Sequence, residues 1–424
     1  MSSSSSILNT AAVLHGPRDI RVKDRRIGQP MLEEVQVKIV STGLCGSDLH
    51  YYKDGRNGDF AVRSPLVLGH EAAGVVTAVG LNAKGKFTVG QRVAIEAGIY
   101  CRQCNYCTSG RYNLCKQMRF CSSAARNPHV DGTLQQYMNH PAYCLHPLPD
   151  ACPYEMASIA EPLSVLIHAS RRCSLGPNQK VLVCGLGAIG LLACALSKHM
   201  GAKRVVAVDI IPERVEFARK HGFADEVYCT KPSTPTPTPE PSSSSSSSSP
   251  AADSCCAHSS QPPVTPAMMS EAQIKTAQET AQMVKDTFND PEGYDVVFEC
   301  SGAEAVIQMG VFAAMAGGKL MLIGMGTRNA FLPVSTFALR EIDILGSFRY
   351  ANTYTEALKL LADACTPISP SSTTMKAPEI SRVATLVTHR FSLQETAKAF
   401  ELLSRGVDEY GSLVLKIMIG SGSS

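Results

Sequence analysis

Cys45, His70 and Glu71 place a thiolate, an imidazole and a carboxylate within one short stretch of the chain. Three such ligands can hold a zinc ion and leave its fourth position open, which separates a catalytic zinc site from a closed structural one. Taken singly, each residue reads more simply as packing, since a lone cysteine behaves as a small buried hydrophobe. The glycines around them favour the metal reading. Gly69 and Gly74 bracket the His70-Glu71 pair and Gly80 follows, so the backbone can turn tightly there. A second cluster, Cys101-x2-Cys104-x2-Cys107-x7-Cys115, has the spacing of a closed all-thiolate zinc site. Such a site does no chemistry and instead holds together a polar lobe (about residues 98–120) with little core of its own. Disulfides are the competing reading, and they fit poorly in a chain without an export signal.

A third constellation concerns a nucleotide. Lys180-Val181-Leu182-Val183-Cys184 reads as an apolar strand and runs directly into Gly185-Leu186-Gly187-Ala188-Ile189-Gly190. An apolar helix (191–200) and a second strand (204–208) ending on Asp209 follow. G-x-G-x-x-G alone is weak; in this order it is the fingerprint of dinucleotide binding. Gly185, Gly187 and Gly190 let a pyrophosphate reach the helix N-terminus, where free N–H groups favour anions. Asp209 accepts ribose hydroxyls and repels a 2′-phosphate, which points to NAD rather than NADP.

The elements that must position these groups follow from periodicity. Residues 34–40 alternate with period two, and 75–79 and 92–95 continue as strands, so the first part is β-rich. A helix over 157–170 contains Glu161-Pro162, and buried strands at 294–300, 318–324 and 342–346 flank a helix at 303–315. A terminal strand at 413–418 returns to the β-rich part, so the nucleotide domain is nested within it. The division places 1–165 and 346–424 in the β-rich catalytic domain and 166–345 in a doubly wound α/β domain. Residues 231–270, rich in Ser, Pro and Thr, read as a disordered insert, with Cys255-Cys256 incidental within it. Residues 365–378 read as a second, shorter insertion.

Composition bounds the partners. The 424 residues suffice for two domains, and a net charge of +3 advertises no broad basic face for nucleic acid or membrane. No run approaches the roughly 20 apolar residues of a spanning helix. The serine-rich start carries no secretory pattern, which leads to an expected cytoplasmic location.

The sequence resembles the zinc-containing medium-chain alcohol dehydrogenases, and within them the sorbitol (polyol) dehydrogenases. The resemblance rests on Cys45-Gly46-Ser47-Asp48-Leu49-His50-Tyr51-Tyr52, Gly69-His70-Glu71, Glu161-Pro162-Leu163-Ser164-Val165, Gly346-Ser347-Phe348-Arg349-Tyr350 and Val387-Thr388-His389-Arg390-Phe391. It implies a Rossmann coenzyme domain nested in a GroES-like catalytic domain, two zinc ions, NAD and a homotetramer. Cys45, His70 and Glu71 would hold the catalytic zinc, with Glu161 a ligand directly or through water. Glu71 stands in for the third-ligand cysteine of other family members, and the oxygen-rich set suits a chelating polyol. Tyr51, Phe120, Glu161, Arg349 and Tyr350 would line the substrate pocket. Ile189, Asp209, Arg214, Ile323, Gly324, Met325, Ser347, Phe348 and Arg349 would meet the coenzyme. Ser47, His50 and a water held by Glu161 are the implied proton carriers, although His50 reads equally as a packed or capping residue. The implied reaction oxidises a secondary hydroxyl of a sorbitol-like polyol to a ketose. Xylitol or L-arabinitol is the alternative substrate, and a non-catalytic NAD- and zinc-binding regulator is the alternative class.

Overall fold

The computed structural model describes residues 6–230, 266–366 and 379–420. Two sheets organise the chain. Six parallel strands line up as Glu226–Cys229, Arg204–Asp209, Lys180–Cys184, Tyr294–Glu299, Ala314–Leu322 and Asp343–Gly346. Numbered along the chain, this is the order 3-2-1-4-5-6 of a doubly wound nucleotide-binding sheet. Both faces are covered, which is why these strands read as continuous apolar runs rather than alternating ones. On one face pack Ala160–Arg172 and Ala188–His199, burying Leu163, Leu166, Leu191 and Leu192. On the other, Pro266–Thr287 and Glu304–Ala313 bury Ala281, Val284 and Val311, with Phe288 just past the end of the first. Each fully buried Leu, Val or Phe contributes about 1.5–3 kcal/mol through apolar area removed from water.

The second sheet has seven strands. Glu34–Gly43 pairs with Glu71–Val79, with Lys416–Gly420 and with Tyr137–Pro141, and it lies at the centre of this sheet. Arg92–Ile95 and Leu145–Pro147 extend one edge, and Val387–Ser392 closes the other in parallel with Lys416–Gly420. The C-terminal strand is thus hydrogen-bonded to an N-terminal one, so the parallel-sheet domain is inserted within this sheet's chain. The fold is the expected one: a Rossmann unit nested in a GroES-like β-rich unit.

Several boundaries differ in detail from the sequence reading. The helix expected over 157–170 is two helices, Tyr154–Ser158 and Ala160–Arg172, with Pro162 in the first turn of the second, where its missing N–H goes unneeded. The insert drawn to residue 270 ends sooner, because Pro266 already opens a helix. Residues 231–265, with Cys255-Cys256, and 367–378 of the second insertion lie outside the described residues. The final strand runs Lys416–Gly420 rather than 413–418. The helix Tyr354–Cys365, which a division at 346 leaves with the β-rich domain, packs its Ala357, Leu358 and Leu361 into the core beneath Ala160–Arg172 and Ala188–His199.

Candidate active site

Strand register brings the first cluster together. Glu71 opens its strand directly opposite Gly43, and a Cβ at position 43 would lie 2.4 Å from Glu71 Oε2. Gly43 therefore makes room for a carboxylate that is wholly buried. The same strand pairs Gly43 with Met418, two residues beyond Lys416. The Lys416 ammonium donates to both Glu71 oxygens at 2.8 Å and to the Leu44 carbonyl at 3.1 Å. Its three donors are thereby used.

Cys45 caps the helix Gly46–Asp54, with its backbone N–H 3.3 Å from Asp48 Oδ2. Asp48, also fully buried, uses Oδ1 to accept from Ser122 Oγ at 2.5 Å, Gly69 N at 3.2 Å and His70 Nδ1 at 3.2 Å. Asp48 thus fixes the imidazole and its tautomer and leaves Nε2 toward Cys45 and Glu71. The ligand atoms of Cys45, His70 and Glu71 lie within 4.8 Å of one another. Ser47 Oγ sits 3.3 Å from Cys45 Sγ and 3.5 Å from His70 Nε2.

Glu161, in the first turn of its helix, is not within that three-residue cluster. Burial pushes its carboxyl up to about 7; His70 and Lys416 oppose the shift and Glu71 adds to it. Beside it, the buried Tyr350 hydroxyl faces the Glu161 carboxyl, and its ionisation is suppressed first by burial and then by Glu161. The Arg349 guanidinium lies 3.9 Å from the ring centre of Phe120 and 4.7 Å from that of Phe348. Burial lowers its pKa to about 10. Arg349 holds φ at +52°, a conformation a non-glycine residue adopts only when its surroundings impose it. The Phe120 ring lies 5.5 Å from that of His70. Tyr51 is buried and its hydroxyl accepts from Ala124 N. His50 stands apart: it is exposed on the outer side of its helix, with Nδ1 3.7 Å from Asp54.

At the C-terminal edge of the parallel sheet the glycine turn is tightly built. A Cβ at Gly190 would meet the Gly185 carbonyl oxygen at 1.7 Å, so only glycine fits where the helix Ala188–His199 approaches the strand. Asp209 accepts from Leu186 N at 2.6 Å and Ile211 N at 2.9 Å, with Arg214 3.8 Å away. Ile323 and Gly324 donate to the Glu299 carbonyl, Met325 and Phe348 are exposed, and Ser347 N donates to Leu322 O. Arg214 Nε, Ser347 Oγ and Glu299 Oε2 are buried without partners among the described residues. Orphaned polar atoms along one sheet edge fit a polar ligand such as a dinucleotide.

The lobe is also assembled. Its sulfurs stand 3.5 Å (Cys104 to Cys107), 3.8 Å (Cys101 to Cys107) and 3.9 Å (Cys104 to Cys115) apart, all as free thiols. Tetrahedral Zn–S bonds of about 2.3 Å place sulfurs about 3.8 Å apart, so the donor set fits zinc.

Sequence reasoning passed over four contributors here: Asp48, Ser122, Glu299 and Lys416. Lys416 carried a legible signal, a lone lysine in the apolar run Leu413-Val414-Leu415-Lys416-Ile417-Met418. Ser122 carried none, because its partner is far away in sequence.

Comparison with known proteins agrees with this geometry. Residues 32–150 match the alcohol dehydrogenase GroES-like domain, and 188–236 with 269–363 match the zinc-binding dehydrogenase domain. Sorbitol dehydrogenase of Mus musculus is 36% identical over 411 residues, covering 97% of this chain and 95% of that protein. The Homo sapiens protein is likewise 36% identical, over 412 residues with the same coverage. Among solved structures, L-idonate 5-dehydrogenase from Escherichia coli superposes with a TM-score of 0.75 at 24% identity, covering 98% of this chain and 99% of that one. 2R,3R-butanediol dehydrogenase from Bacillus subtilis superposes at 0.70 with 23% identity, covering 98% and 100%. The chain belongs to the zinc-dependent medium-chain alcohol dehydrogenase family, and within it to the sorbitol dehydrogenase type.

Proposed function

We infer that this zinc-dependent dehydrogenase oxidises a secondary hydroxyl of a sugar alcohol, sorbitol or L-iditol in type, to a ketose with NAD as acceptor. The observation that carries the substrate class is the polar wall beside the metal cluster, Glu161, Arg349 and Tyr350, where an ethanol-type site would need only apolar cover. Arg349 offers a fork of donors for neighbouring hydroxyls, and its stacking on Phe120 and Phe348 holds that fork in place. Zinc held by Cys45, His70 and Glu71, with Glu161 near, would supply Lewis acidity toward the reacting hydroxyl, and NAD would take the hydride. Ser47, touching both Cys45 and His70, is placed to receive the departing proton. Glu161, titrating near neutrality, is placed to accept one. Asp209, at the end of the second strand, would accept ribose hydroxyls and repel a 2′-phosphate, which favours NAD. Four cysteines, Cys101, Cys104, Cys107 and Cys115, would hold a second, structural zinc. A homotetramer in the cytoplasm, with neither nucleic acid nor membrane as partner, completes the reading.

The test is NADH formation at 340 nm with sorbitol, xylitol, L-arabinitol and ethanol, with NAD and NADP in parallel. Chelator-sensitive turnover of a polyol with NAD supports the reading. Tighter use of xylitol or L-arabinitol reassigns the substrate within the class. Coenzyme binding without turnover of any polyol defeats the reading in favour of a regulatory protein.

A further inference from the structure

The residues between Cys107 and Cys115 do more than close a metal loop. They end in a turn, Tyr112–Leu114, which runs straight into Cys115, and both Tyr112 and Asn113 are buried. Their polar atoms reach a segment 235 and 240 positions further along the chain. Asn113 Nδ2 donates to the Phe348 carbonyl at 2.9 Å, and the Tyr112 hydroxyl accepts from Asn352 N at 2.8 Å. A third bond runs the other way, from Asn352 Nδ2 to the Gly110 carbonyl at 2.7 Å.

Glu96 sets the direction of the central bond. It is buried just past the strand Arg92–Ile95, with Oε2 2.7 Å from His146 Nε2, and its Oε1 accepts from the Tyr112 hydroxyl at 2.8 Å. The hydroxyl proton is thus committed to a carboxylate, and the oxygen turns a lone pair toward the Asn352 N–H. A bond to a carboxylate is stronger than one between neutral groups. The clamped segment needs that support. Arg349 and Asn352 hold φ at +52° and +57°. Asparagine enters this region readily, but a long side chain such as arginine stays there only where its surroundings impose it. The bonds from the lobe fall on Phe348 and Asn352, on either side of Arg349 and Tyr350. A shift of this backbone would carry the Arg349 guanidinium off the Phe120 ring, 3.9 Å away.

We propose that the cysteine lobe is a clamp that positions the substrate arginine. Tyr112 and Asn113, held by Glu96 and by the four-cysteine cluster, fix the backbone from Phe348 to Asn352 and so aim Arg349 and Tyr350 at polyol hydroxyls. Both are positioning residues, acting through the backbone they hold. Loss of the clamp weakens polyol binding and leaves the metal cluster in place, because His70 and Glu71 are held by Asp48 and Lys416 instead. That Arg349 meets a polyol rests on the function proposed above; the clamp itself is read separately.

The test pairs amide hydrogen exchange, read by mass spectrometry, with steady-state kinetics on the zinc-loaded enzyme as wild type, Tyr112→Phe, Asn113→Ala and Cys104→Ser. In each variant a peptide covering residues 346–353 should exchange about tenfold faster, while one covering 69–74 should not change. In Y112F and N113A the KM for sorbitol should rise about tenfold, with kcat within about twofold and the KM for NAD unmoved. Unchanged exchange at 346–353 in all three variants would overturn the clamp. Faster exchange there with kcat lowered and the KM for sorbitol unmoved would overturn the positioning role and leave a merely structural lobe. A wild-type enzyme that uses none of sorbitol, xylitol and L-arabinitol would overturn the polyol half of the proposal, and the exchange result would still decide the clamp.

Discussion

Replacing Lys416 by Met removes the ammonium that bonds both Glu71 oxygens and leaves a fully buried carboxylate without that partner. At 2.8 Å and an effective dielectric constant near 20, the gross attraction between the two is about 6 kcal/mol. Desolvation of both ions offsets part of this, and breaking such a buried pair from one side costs about 3–5 kcal/mol. The loss should depend on metal. Zinc held by Cys45, His70 and Glu71 would supply the compensating charge itself, so K416M should lose about 3–5 kcal/mol in the metal-free protein and clearly less in the zinc-loaded one. Guanidinium unfolding followed by circular dichroism, on both forms of wild type, K416M, Glu71→Gln and the double variant, measures this directly. The double variant should be more stable than K416M alone, because it leaves no unpaired charge. Equal losses with and without zinc, or a metal-free loss below about 1 kcal/mol, would refute the idea that Lys416 holds the Glu71 charge.

Three further perturbations bear on the site. The folded pKa of Glu161 is raised to about 7 by burial, so its neutral form stabilises the fold at acidic pH and this contribution fades as pH rises through about 7; as a proton acceptor it acts in the opposite sense, and turnover should climb over the same range. Bound zinc and oxidised coenzyme shift that limb to lower pH, and Glu161→Gln should flatten it while lowering turnover roughly 10²-fold, read from pH–rate profiles. Asp48→Asn keeps the shape but removes the charge that orients His70, and competitive chelator titration should show a loss of about 10- to 100-fold in zinc affinity. Cys104→Ser should remove one metal ion per chain by elemental analysis and loosen the lobe at residues 98–120 to protease, while the ion at Cys45 is retained.

What the sequence made legible and what it concealed divide along a physical line. Lys180–Cys184, the glycine turn and Asp209 follow one another in the chain, so their order alone specifies a strand, a tight approach and a helix start; the strand matches residue for residue. The lobe cysteines are equally local, and their spacing sets their geometry before any tertiary structure is known. Glu71 was legible as a ligand type, but its ammonium partner was not, because the contact depends on register between strands hundreds of positions apart. The same holds for Ser122 against Asp48: a serine in a loop has no periodicity, and only the closed fold shows that its hydroxyl reaches the carboxylate behind His70. His50 is the reverse case. The resemblance gave it a proton-carrier role, yet its ring is exposed, with Nδ1 3.7 Å from Asp54. Motif proximity therefore identified the donors, and strand register identified the groups that hold their charge and orientation. Lys416 falls between the two, since a single ammonium in an otherwise apolar strand already demands a buried anion, and the positional link to Glu71 is all that the fold had to add.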